Sequence, residues 1–561
     1  MEQTANEGIA GRSKWTPSGR VPRILLCGVF GPYGVNDAYG RKENKMELYH
    51  NQVTRVQGPA SLRFHHRSFG LYFIAANIRA DTTVLDFPSH KRYIREIRKG
   101  YDIIGISFIT PNYVKAREMA RLVRLHAPGS LIILGGHGAA IEGVEKLIDC
   151  DYVARGEGIR WMREFIGQDP EAPIVHPILP CSEFGAVFGI SIPGVLPNVF
   201  VPGQGCVNAC HFCCTSHFFG KAYIPFFRTG KELFEQADRI AKARHTNEFF
   251  IMDENFLKDP TRANELLAEM EKHRRWFNFY ISSSAETVMA FGIDNMVRLG
   301  VCFAWIGFES QNTEKLFTKN AGIDAVRLVR DLRARGISVL GSTMLCMEHH
   351  TPENIGADID FAVGLQTDFV QFMLYTGMPV TGLYKDLKAR GLLKTDLPYE
   401  EWHGQNMLNW NHAAFPGGEA KRWLDLAFRR DYEANSSSIY RMTDTALRGY
   451  RALAAMKSRD ACLDARMRQL GRRARLYSLL LPVIARHAVN DEERRRARAL
   501  DAEQRRLLGP LRFTERILRF LAQVLAVRWD LRLRWFGDRI QPATIVTRYR
   551  ASDGIGSMPQ N

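Results

Sequence analysis

Along residues 21–160, short continuous apolar runs alternate with amphipathic stretches. Arg23–Val29 (RILLCGV) is the first run, closed by Gly31 and Pro32. Thr82–Phe87 (TTVLDF), Asp102–Ile109 (DIIGISFI) and Leu131–Leu134 follow, the last ending at Gly135-Gly136. Between the last two, Asn112–His126 carries Val114, Met119, Leu122 and Val123 at helical spacing and stops before Pro128-Gly129. Uniformly apolar strands alternating with helices predict a doubly wound parallel sheet covered on both faces. Ligands of such sheets sit beyond the carboxyl ends of the strands. That edge carries Ser107, Thr110, Gly135, Gly136 and the stretch Arg155-Gly156-Glu157-Gly158.

A proline-rich connector follows, with Pro170, Pro173, Pro177, Pro180 and Pro193. The alternation then resumes. Strands are expected at Asn198–Val201, Glu248–Met252, Phe277–Ser282, Val301–Gly307, Ser338–Leu345 and Phe369–Leu374. Thr229-Gly230-Lys231-Glu232 reads as a capping box, and Asp259-Pro260 and Thr351-Pro352 as capped helix starts. Six strand–helix repeats predict an open or partial β/α barrel, whose catalytic groups lie on the loops after the strands. Beyond residue 400 the pattern is helical. The expected organisation is a disordered lead over 1–20, a doubly wound domain over 21–170, a linker over 171–195, a partial barrel over 196–400 and a basic helical region over 401–561.

Composition narrows the class. The chain has 561 residues, 45% hydrophobic and 24% charged, which excludes wholesale disorder. Ten cysteines are too few for a disulfide scaffold. The candidate Leu476–Ala485, between Arg475 and Arg486, is short of the ~18 residues of a membrane span and contains Pro482. The polar N-terminus lacks an apolar signal core, so the expected location is cytoplasmic. The net charge of +16 is concentrated: residues 441–550 hold 26 Lys and Arg against 11 Asp and Glu, a surplus of 15. Within that stretch Leu511–Phe536 places Phe513, Ile517, Leu518, Leu521, Val524, Leu525 and Trp529 largely on one side between Arg and Trp flanks. Three roles fit: a helix packed on the barrel, peripheral contact with a membrane surface, and phosphate binding on nucleic acid.

The sharpest chemical feature is Gly205-Cys206-Val207-Asn208-Ala209-Cys210-His211-Phe212-Cys213. It follows the first strand of the second domain, on a loop opened by Pro202, Gly203 and Gly205. Three thiolates on one tight loop suit an iron–sulfur cluster with one iron left open for a small ligand. A zinc site completed by His211 or Cys214 is the alternative, although zinc ligands usually come as two separated pairs. With zinc, the basic tail reads as part of a nucleic-acid-binding protein. Cys27 lies inside an apolar strand, where a cysteine acts as a small hydrophobe.

Cys206, Cys210 and Cys213, with Phe212 before the last, resemble the cluster motif of radical S-adenosylmethionine (radical SAM) enzymes. Thr215–Gly220, Met252-Asp253-Glu254-Asn255-Phe256, Ile306-Gly307-Phe308-Glu309-Ser310 and Thr376–Tyr384 are similar, in order, to later motifs of that barrel. The resemblance implies a 4Fe-4S cluster on the three cysteines and S-adenosylmethionine chelated at the open iron. Reductive cleavage of its sulfonium then yields a 5′-deoxyadenosyl radical. Phe212, Asp253, Ser283 and Glu309 become candidates for holding S-adenosylmethionine, and a flavodoxin or ferredoxin for supplying electrons. Asp102–Ser107, Gly135-Gly136-His137 and Gly156-Glu157-Gly158 resemble the cobalamin-binding domain that precedes many such barrels. Ser107, Thr110, Gly135 and Gly136 are its candidate contacts. That family often carries Asp-x-His-x-x-Gly after the first strand; here the place reads Gly28-Val29-Phe30-Gly31-Pro32-Tyr33-Gly34, and His50 is the nearest histidine downstream. With cobalamin, the implied chemistry is methyl transfer to an unactivated carbon of a small-molecule, lipid or natural-product-type substrate. With a vestigial cobalamin domain, it is radical cyclisation or rearrangement. Nucleic acid is not expected as a partner of either enzyme.

Overall fold

A computed structural model describes residues 20–31, 48–181, 188, 197–311, 318–536 and 542–556. The expected disordered lead apart from Arg20, the linker beyond Cys181 apart from Phe188, and the His50 side chain lie outside the described residues.

The first apolar runs form β1 (Arg23–Gly28), β2 (Asp81–Asp86), β3 (Ile103–Ser107), β4 (Leu131–Gly135) and β5 (Tyr152–Val153). All are parallel, in the order β2-β1-β3-β4-β5. Leu25, Cys27, Ile104 and Ile132 pack toward the helix Tyr113–His126. Ile24, Leu26, Ile103 and Ile133 pack toward Leu71, Tyr72 and Met162 on the other face. Burial from both sides is why these strands read as unbroken apolar runs. The strand order reverses direction at β1 and β3, so the crevice beyond their carboxyl ends is the ligand position of this topology.

The second sheet holds β6 (Asn198–Phe200), β9 (Glu248–Ile251), β10 (Asn278–Ser282), β11 (Val301–Glu309), β12 (Ser338–Leu345) and β13 (Phe369–Leu374), all parallel and in chain order. No pairing joins β6 to β13 among the described residues, so the sheet is open, which is consistent with a partial barrel. Between β6 and β9 lies a hairpin of β7 (Gly203–Gly205) and β8 (Tyr223–Pro225). Ala304, Ile306 and Phe308 of β11 face the covering helices. Phe303 and Trp305 face the other way, toward Leu340, Phe369 and the C-terminal helices.

Thr229 and Glu232 form the expected capping box of the helix Gly230–Arg244, and Asp259 caps Pro260–Lys272. Thr351-Pro352 does not start a helix. That helix begins at Ile355, because the Asn354 side chain accepts the Thr351 N–H at 2.8 Å and closes a turn first.

The C-terminal region is helical from Glu419 to Phe536, with one departure: β14 (Ile545–Tyr549) pairs antiparallel with β2 at the edge of the first sheet. Its β-branched IVT start suits an edge position. The helix Phe513–Phe536 also departs from the sequence grouping. Trp529 points inward, while Phe513, Ile517, Leu518, Leu521 and Val524 are exposed.

His176 pins the connector between the two sheets. It is fully buried, its Nδ1–H donates to the Pro177 carbonyl at 2.6 Å, and its Nε2 accepts the Val201 N–H at 2.9 Å. Burial pushes its pKa down to about 3. Protonation breaks the Val201 bond just ahead of the cysteine loop. The unfolded chain takes up this proton first, near pH 6.5, so the stabilisation is complete above that pH and lost as pH falls toward 3. We expect this histidine to remove on the order of 2 kcal/mol of stability between pH 7 and pH 5. A pH series of thermal unfolding should show a shallower acid slope for His176→Asn than for the wild type; equal slopes would refute the assignment.

Candidate active site

The β7–β8 hairpin closes the cysteine loop at its base. Gly205 has φ +84, and a side chain there would collide with the Ala222 carbonyl. The loop is held from within. Ser216 Oγ donates to the Cys206 carbonyl at 2.6 Å, and the Cys213 N–H donates to the Cys210 carbonyl at 2.9 Å. Cys213 caps the helix Cys214–Phe218, its sulfur accepting the Ser216 N–H at 3.5 Å. On the outer side, the Leu383 N–H donates to the His211 carbonyl at 3.0 Å, which docks the loop on the helix Gly382–Ala389 after β13.

Cys206, Cys210 and Cys213 are half-buried and free, and each feels the charge of its neighbours. Burial pushes Cys213 up to about 11, so it stays a thiol at neutral pH until a metal displaces its proton. Thiolates on one zinc at ~2.3 Å sit about 3.8 Å apart. Among the described residues, only His349, His350 and Asp358 bring three ligand atoms within 4.8 Å of one another. The cysteine trio is therefore more widely spread than a single zinc requires, as suits three corners of a cubane. The His349 group is not a metal site either. His350 Nδ1 accepts the Met347 N–H at 3.0 Å and its Nε2 bonds Asp358 at 2.6 Å, so both ring nitrogens are used.

Glu309, at the end of β11, is brought to the cysteine loop. It has φ +66 and is 5% exposed. Its carboxylate pairs with Lys319, whose ammonium lies 5.9 Å from the centre of the Phe212 ring. Burial alone lowers the Lys319 pKa, but Glu309 and the thiols of Cys210 and Cys213 outweigh it and hold the ammonium charged. The strained turn after Glu309 is fixed by Asp358, which accepts from Ser310 Oγ at 2.7 Å and the Gln311 N–H at 2.9 Å.

Asp253 and Ser283 are placed differently. Asp253 is buried and accepts from Arg262 at 3.0 Å, Tyr223 at 2.8 Å and the Asn255 N–H at 3.0 Å, tying β8 to β9. Ser283 Oγ accepts the Leu257 N–H at 3.0 Å and staples β10 to the turn after β9. Glu254 lies beside the loop and acts electrostatically on Cys206, Cys213 and Cys214. On the inner face, Trp305 Nε1 donates to Ser342 Oγ at 2.6 Å, Ser342 to Gln371 at 2.9 Å, and Gln371 to Gln52 at 3.1 Å.

At the edge of the first sheet, Ser107 of β3 lies beside Gly135 of β4, and Thr110 is buried at the start of the following turn. The two glycines differ. Gly136 has φ +77, and a Cβ there falls 2.6 Å from the Phe108 carbonyl; one on Gly135 meets nothing within 4 Å. Gly136 is thus set by the fold, whereas Gly135 faces open space. His137 packs at a tilt against Phe218 of the cysteine-loop helix, 4.6 Å between ring centres, and its buried Nε2 has no hydrogen-bond partner among the described residues. An orphaned imidazole nitrogen and an open glycine edge fit a ligand at this strand end. At β1 the place of the Asp in an Asp-x-His motif is crowded: a Cβ on Gly28 falls 2.6 Å from Ser68 Oγ and 3.0 Å from Asp86, so these side chains would have to shift.

Comparison with known proteins agrees with this layout. The B12 binding domain family matches residues 60–166, and the radical SAM superfamily matches residues 200–362. An uncharacterized methyltransferase of Pyrococcus horikoshii is 22% identical over 369 residues, 58% of this chain and 79% of that protein. The hopanoid C-2 methylase of Rhodopseudomonas palustris is 21% identical over 202 residues, 34% of this chain and 38% of that protein. Among solved structures, the radical S-adenosylmethionine methyltransferase TsrM of Kitasatospora setae, with cobalamin and a 4Fe-4S cluster bound, aligns with a TM-score of 0.53 at 16% identity. The alignment covers 82% of this chain and all of that one. The two matched domains imply a 4Fe-4S cluster, S-adenosylmethionine and cobalamin as cofactors. The chain is a radical SAM superfamily enzyme with an N-terminal cobalamin-binding-type domain.

Proposed function

We propose that this enzyme is a cobalamin-dependent methyltransferase that moves a methyl group from S-adenosylmethionine to an unactivated carbon of a lipid or natural-product-type substrate. One observation carries the reading: His137, at the ligand edge of the first sheet, packs its ring against Phe218 of the helix that follows the cysteine loop, 4.6 Å between ring centres. That contact brings the cobalamin-side strand end and the cysteine-loop segment side by side, which supports transfer between the two cofactors. The names of the matched methyltransferase and hopanoid methylase support the reaction and the apolar substrate class.

When bound, the cluster supplies an electron and an open iron, and cobalamin supplies a cobalt that carries the methyl group. The chain's own residues do the rest. Cys206, Cys210 and Cys213 hold three irons. Glu309, oriented by Lys319, offers a carboxylate to the amino group or ribose of S-adenosylmethionine, with Phe212 walling the adenosyl side. Asp253 and Ser283 brace the strand ends beside the loop, Asp253 through Arg262 and Tyr223 and Ser283 through the Leu257 N–H. Ser107, Thr110, Gly135 and Gly136 line the corrin side, and a flavodoxin or ferredoxin supplies the electrons.

The test is reconstitution with iron, sulfide and cobalamin, then incubation with methyl-labelled S-adenosylmethionine and a lipid extract from a strain lacking the gene. Label should enter an organic-soluble product only when corrin absorption bands accompany the protein. Gly135→Val should keep the wild-type melting temperature yet lose those bands and the labelled product. Wild-type protein that takes up no cobalamin would overturn methyl transfer and leave cyclisation or rearrangement.

A further inference from the structure

The helix Phe513–Phe536 rests on the protein by one narrow face. Ala522, Ala526 and Trp529 are buried there, against Val483 and Phe188. The opposite face is apolar and open. At 100° per residue, Phe513, Ile517, Phe520, Val524, Leu531 and Trp535 fall within an arc of roughly 60°. Each is between 43% and 76% exposed. All exposed phenylalanines and tryptophans among the described residues lie in this one helix.

The charges of this helix that stay unpaired among the described residues frame that stripe and are of one sign. Glu515 is paired with Arg475 and Asp530 with Arg534. Arg516, Arg528 and Arg532 have no ion pair among the described residues and lie to either side of the stripe. Beside the helix, a cavity of about 410 Å³ is lined by Arg486, Arg498, Arg494 and Arg519 over Leu481 and Pro482, with Arg494 paired to Asp491 and Arg519 to Asp501. A second copy of this chain would set arginine against arginine. A bilayer with anionic headgroups instead meets the apolar stripe with acyl chains and the arginines with phosphates.

We propose that this helix lies in the surface of an anionic lipid bilayer, its Phe513–Trp535 stripe below the headgroups and the flanking arginines among them. Among the described residues no helix is long and apolar enough to cross a membrane, so the attachment is peripheral. The proposal does not depend on the chemistry of the site.

The experiment is flotation of the full chain with vesicles of phosphatidylcholine alone or with about one-third phosphatidylglycerol. Binding to the anionic vesicles should be stronger by about tenfold or more and should weaken in high salt. A triple variant, Phe513→Ser, Phe520→Ser and Trp535→Ser, should lose that binding, because these side chains touch little of the fold. Its circular dichroism and melting temperature should match the wild type. Equal binding by the variant, no binding to anionic vesicles, or a vesicle-free dimer that the variant dissolves would each overturn the proposal.

Discussion

A Cys206→Ala, Cys210→Ala, Cys213→Ala variant should fold, take up cobalamin and turn over no S-adenosylmethionine. The three thiols are half-buried and belong to none of the buried core clusters, so little packing is lost. The loop keeps its Gly205 turn and its Ser216 bond to the Cys206 carbonyl. The one structural loss is the Cys213 cap on the next helix, about 1 kcal/mol by analogy with other N-caps. With these cysteines as the proposed iron ligands, chemistry should lose everything, because all three thiolates disappear together. Iron and sulfide should fall from ~4 each per chain, as a cubane requires, to background, and turnover should fall by at least ~10³. Iron retained by the variant would end the cluster assignment. Cys27→Ala should do the reverse, since Cys27 is fully buried in β1: iron stays and the melting temperature drops.

The second large effect is expected at Lys319. Lys319→Met leaves the Glu309 carboxylate buried without its cation, and breaking such a pair costs about 3–5 kcal/mol. The site suffers as well, because Glu309 loses the contact that aims it and Phe212 loses the ammonium beside its ring. Turnover should fall by roughly 10² or more. A Lys319→Met, Glu309→Gln double variant separates the two effects. It should recover most of the melting temperature, because no bare charge remains, but not the activity. Recovery of both would make the pair purely structural.

These two predictions differ in how far the sequence reveals their basis. The cysteine loop is legible because its chemistry lies in eight consecutive residues, and local spacing alone confines three sulfurs to one place. The strands are legible because both sheets are buried on two faces, so whole runs such as RILLCG are apolar. Lys319 is not legible. It reaches Glu309 across a turn, and no pattern in one dimension separates it from the other lysines of the chain. Asp253 is legible only in part: its place at a strand end reads as a ligand position, whereas its bonds to Arg262 and Tyr223 join it to partners that no local pattern shows. Its neighbour Glu254 is the one left beside the thiols. The contact of His137 with Phe218 joins segments from two domains and is invisible to any local rule.

The strand β14 has a consequence for how the molecule is made. Thr544 at its start bonds the Phe87 carbonyl beside β2 across 457 residues of chain. During synthesis the first sheet therefore waits with a bare edge while the barrel and the arginine-rich helices emerge from the ribosome. A nascent or prematurely terminated chain keeps β2 open to any passing strand, which makes the final seam a safeguard against aggregation as much as a piece of architecture.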